Sequence, residues 1–136
     1  YCRIFINIMA DKTVYINLFN EKAEEFCKDL VTTFPEVAEF KKLKSGLLLL
    51  KNVDEKKPRE FFNSYVGANF KQQILSKDES FFINEVQNHV QGGIDNSQWQ
   101  SVISLIHDLW ATLSNENKEN IWKYFQVLIA INDKCS

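Results

Sequence analysis

The sequence predicts an all-α protein, a compact antiparallel bundle of about six helices. Apolar residues recur at three- and four-residue spacing along most of the chain, the period of a helix with one buried stripe. Gly and Pro are scarce, four and two in 136 residues, whereas an all-β domain needs turn residues every ~8–12 positions. The chain also carries 11 Phe, 4 Tyr and 3 Trp. Each ring buries roughly 150–250 Å², so a single core can be stable without metals or disulfides.

The first helix is expected from about Asp11 to Thr33, with Tyr15, Phe19, Ala23, Phe26, Leu30 and Phe34 on its stripe and Val14, Leu18 and Cys27 beside it. Pro35 forces a break, because proline suits a first turn and not a helix interior. The second helix restarts there and runs to about Lys51 on Val37, Phe40, Leu43, Leu47 and Leu50. Its run Leu47 to Leu50 is apolar all round one turn, which predicts contacts on two sides. After the polar loop Asn52 to Lys57, Pro58 opens a third helix carrying Phe61, Phe62, Tyr65, Val66, Phe70 and Ile74.

Asp78 is a good N-cap for a short fourth helix with Phe81, Phe82 and Val86 inward. Gly92-Gly93 marks a loop. The fifth helix follows on Trp99, Val102, Ile103, Ile106, Trp110 and Leu113. Ser114 caps the last, whose stripe is Ile121, Tyr124, Phe125, Leu128 and Ile131, with Glu116 and Glu119 favourable in its first turn. Short connections favour antiparallel neighbours. The only Met is Met9, so residues 1–8 read as an upstream extension or a frayed segment, and 9–136 as one helical domain. A fragment of something longer is the alternative.

The net charge of −2 provides no global field toward nucleic acid or membrane. Cys2, Cys27 and Cys135 form no close pair, and with no glycosylation sequon present the expected setting is intracellular. No cofactor is expected. Phosphate-cradling glycine loops and nucleophile elbows are absent. His107 lies beside Asp108, but successive helical residues point ~100° apart and do not face one another. His89, His107, Cys27 and Cys135 lack the paired spacing of a zinc site, so only an arrangement made in three dimensions could join them. An enzyme is the least expected outcome.

Two features point to binding. Lys41, Lys42, Lys44, Lys51, Lys56, Lys57 and Arg59 face only Asp54 and Glu55, leaving net +5 over 41–59, while 78–119 carries net −6. Such a stretch can touch phosphates or an acidic partner, or be a solvated helix face. No aromatic residue interleaves it for base stacking. Trp122 falls off the main stripe of the last helix, so it is either a lid over a neighbouring helix or an anchor for a partner.

Three phrases carry a resemblance: Phe34-Pro35 after an amphipathic helix, Lys77-Asp78-Glu79-Ser80-Phe81-Phe82, and the stretch from Asn115 to Phe125, Asn-Glu-Asn-Lys-Glu-Asn-Ile-Trp-Lys-Tyr-Phe. Together the chain resembles small, uncharacterised helical proteins of large DNA viruses that infect algae and protists. The resemblance covers roughly Val14 to Asp133 and implies a viral gene product in the host cytoplasm or the virion. It also suits an open reading frame from environmental DNA. That family has no assigned activity, so it implies no site residues.

The expected function is a non-enzymatic helical interaction protein with a protein partner and no membrane association. An accessory protein that binds nucleic acid weakly through 41–59 is the alternative. A death-fold-like or apoptosis-regulator-like adaptor is a third reading, on helix count alone.

Overall fold

The computed structural model describes residues 2–80 and 97–135, and all its regular elements there are helical. They are α1 (Cys2–Thr33), α2 (Ala38–Val53), α3 (Lys57–Phe62), a π-helical turn (Asn63–Gly67), α4 (Ala68–Leu75), α5 (Ser97–Leu109) with a 3-10 turn (Trp110–Thr112), and α6 (Asn115–Cys135). The segment from α3 through the π turn to α4 is continuous, so the described residues form five rods in a compact bundle. The expected fourth helix, the Gly92-Gly93 loop and His89 lie outside the described residues.

Local chemistry sets several boundaries. Pro58 stands in the first turn of α3, where its missing N–H costs nothing. Ser114 caps α6 as expected, its Oγ accepting the Asn117 N–H at 3.1 Å. Asp78 accepts the Ser80 N–H at 3.0 Å. Two expected starts shift. The backbone of α1 is helical from Cys2, upstream of Asp11, and Pro35 lies in the turn before α2 rather than in its first turn. No described helix is long and apolar enough to cross a membrane.

α1 packs antiparallel on α6 and on α2. On the α6 side, Phe26 stacks on Tyr124 at 4.9 Å and meets Phe125 edge-on at 5.4 Å. On the α2 side, Lys51 pairs with Glu24 at 2.8 Å, and the buried Asn20 donates to the Glu55 carbonyl at 2.8 Å. Phe19 meets Phe62 at 5.2 Å, and Phe62 meets Trp99 at 4.9 Å, joining α1, α3 and α5 through edge-to-face rings. Burying each such ring contributes roughly 1.5–3 kcal/mol. Trp99 also donates its Nε1–H to the Pro58 carbonyl at 3.2 Å.

The stripes read from spacing are largely the buried ones, but Val14 is exposed and Asn20, Ile129 and Asn132 are buried unannounced. Asn132 organises a polar knot. Its Oδ1 accepts the Arg59 Nε–H at 2.8 Å, its carbonyl accepts from Arg59 Nη2 at 3.0 Å, and its Nδ2 donates to Asn63 Oδ1 at 2.9 Å. Asn63 opens the π turn and Gly67 closes it. A Cβ on Gly67 would sit 3.0 Å from Asn132 Nδ2 and 3.2 Å from Asn63 Oδ1. π turns widen a helix locally, and here α6 comes close enough that a Cβ would press on the Asn132 and Asn63 amides.

Two effects compete in a Gly67→Ala variant. Alanine stabilises a helix interior by up to about 1 kcal/mol, and overpacking costs about 1–3 kcal/mol. The polar atoms it meets are held by hydrogen bonds, so overpacking wins. Urea unfolding is expected to show a loss of about 1 kcal/mol. A gain near 1 kcal/mol would show that the knot is loose.

Candidate functional site: the outer face of α2

α2 turns Phe40 and Leu47 into the core, with Leu43 and Leu50 half-buried at the flank. The expectation of contacts on both sides of Leu47–Leu50 is corrected by the structure. Leu48 is 36% exposed, Leu49 67% and Val53 84%. The helical rotation of ~100° per residue puts Leu49 and Val53 one turn apart on the side opposite Phe40 and Leu47. Leu48 adjoins them. Exposed Lys41, Lys42 and Ser45 continue the same arc toward the N-terminus, and exposed Lys56 follows its C-terminal end. The result is an exposed aliphatic patch whose two ends carry lysines together with the exposed acids Glu36, Glu39 and Glu55.

The seven cations read from the sequence do not form one patch. Lys51 is engaged by Glu24, and Lys57 pairs with Glu60 at 3.5 Å and lies over the Phe61 ring. Arg59 is held in the knot with Asn132. Lys44 is half-buried beside Cys27. Lys41, Lys42 and Lys56 are exposed and have no ion-pair partner among the described residues.

Trp122 is 3% exposed and meets Trp110 edge-to-face at 5.6 Å. The surface-anchor expectation is therefore corrected: α6 is flanked by several rods, so its buried arc is wider than one stripe and includes Trp122. The lid reading holds.

His107 Nδ1 lies 3.2 Å from Asp108 Oδ1. The expectation that these neighbours do not face one another is corrected, because the short Asp side chain bends across the same turn. The pair sits at the surface, with Asp108 mostly exposed. No group of three His, Cys, Asp or Glu side chains gathers as a metal site among the described residues. An open groove of about 770 Å³ between α1 and α6 is polar, bordered by Asp29, Lys77, Glu119 and Lys123. Three of its charged groups are engaged: Lys77 bridges to Glu119 at 2.7 Å, and Asn120 donates to Asp29 at 2.6 Å. It offers exposed hydrogen-bonding groups and no enclosed apolar floor.

No protein-family model, curated protein or solved structure matches this chain. The site therefore rests on its own geometry. Its signal in the sequence was the Leu47–Leu50 run, whose apolar surface exceeds what one helix face can bury.

The cysteines give a check on burial. Desolvation pushes the Cys27 thiol up from 9.0 to about 12, against a smaller pull from Lys44. Cys135, half-buried, is shifted upward by burial with Arg59 opposing. Folding thus holds the Cys27 proton more tightly than the unfolded chain does. The stability this contributes is complete below 9.0 and is lost as pH rises toward about 12. In a Cys2→Ser background, an aromatic disulfide reagent should label Cys135 first and Cys27 only on unfolding. Above pH 9.0 the urea midpoint should fall less steeply in Cys27→Ala. Equal labelling of both thiols in the native state would contradict the burial.

Proposed function

We propose that the chain is a non-enzymatic helical interaction protein that holds a protein partner on the outer face of α2. The observation that carries this reading is the exposure of Leu49 and Val53, one turn apart on the outer side of α2, with Leu48 exposed on its flank. Single exposed aliphatic residues are ordinary on protein surfaces, but contiguous ones rimmed by polar groups mark interaction sites. The viral setting implied by the sequence phrases belongs to the same proposal, as a gene product that acts by binding inside an infected cell.

The nucleic-acid alternative is favoured by exposed Lys41 and Lys42 but weakened by the engagement of Lys51, Lys57 and Arg59. Three remaining cations correspond to a log–log salt slope of only about −3. Aliphatic side chains in the middle of the face add nothing to phosphate contacts.

Capture from algal or protist lysate, with and without nuclease, tests the proposal against that alternative. Partners should survive nuclease and should be lost, with at least about tenfold weaker binding, in a Leu49→Asp, Val53→Asp variant whose far-UV circular dichroism is unchanged. Loss of every partner after nuclease would replace the proposal with the nucleic-acid reading. Full retention by the double variant would remove the α2 face as the site.

A further inference from the structure

We draw no further inference here: the strongest candidate, the exposed Leu48, Leu49 and Val53 patch on the outer side of α2, is an apolar face with acids beside the lysines at both of its ends, and nothing in the structure shows what covers it.

Discussion

A primary amide inside an apolar interior has to find its hydrogen bonds, and in this bundle the Asn132 amide finds two of them on the rod that runs from α3 to α4. Its partners are Arg59 and Asn63, on α3 and the π turn. Leucine at that place would pack, but it would accept a range of positions. The amide accepts one, because sliding α6 by a residue moves it about 1.5 Å and breaks directed bonds near 2.8 Å. The arrangement also ties down a guanidinium, whose loss of partners in a part-buried place is costly. Gly67 completes the constraint by letting α6 approach the turn.

That placement propagates. With α3 fixed on α6, the Pro58 carbonyl stands where Trp99 can donate to it, and the Phe19–Phe62–Trp99 ring contacts lock α5 and α1 against α3. α2 then packs on α1, α5 and α3 with one side of its circumference. Four consecutive leucines carry more apolar surface than that side can use. Each aliphatic side chain left in water forgoes about 1.5–3 kcal/mol of possible stabilisation, and contiguous ones invite unwanted association. Exposed Lys41, Lys42 and Lys56 stand at the ends of the patch, beside the exposed acids Glu36, Glu39 and Glu55.

Most of the fold was legible because helical spacing reports burial directly. Phe19, Phe26, Phe40, Ile106, Phe125 and Leu128 all fell on stripes and are all buried. Ser114 and Pro58 announced helix starts by local chemistry. What spacing does not report is which second neighbour a helix has. Trp122 lay off its stripe yet is covered by Trp110, because α6 is flanked on more than one side. Leu49 lay in an all-round apolar turn yet is bare, because α2 is at the margin. The knot was hidden for a different reason: Asn132 is 73 residues from Arg59 and 69 from Asn63, and polar residues carry no hydropathy signal for burial. The cationic stretch was visible as composition, but its division into engaged and exposed lysines depends on Glu24, Glu60 and Asn132, which only the folded chain brings near.

Everything functional here depends on the outer side of α2 contributing nothing to folding. Urea unfolding of a Leu49→Gln, Val53→Gln variant measures this directly, since glutamine keeps helix propensity and adds no charge. The expected result is a stability within about 0.5 kcal/mol of the wild type, as for surface substitutions. A loss of about 3 kcal/mol or more would mean that both side chains are buried in the native protein, and that the patch is part of the core rather than a face for a partner.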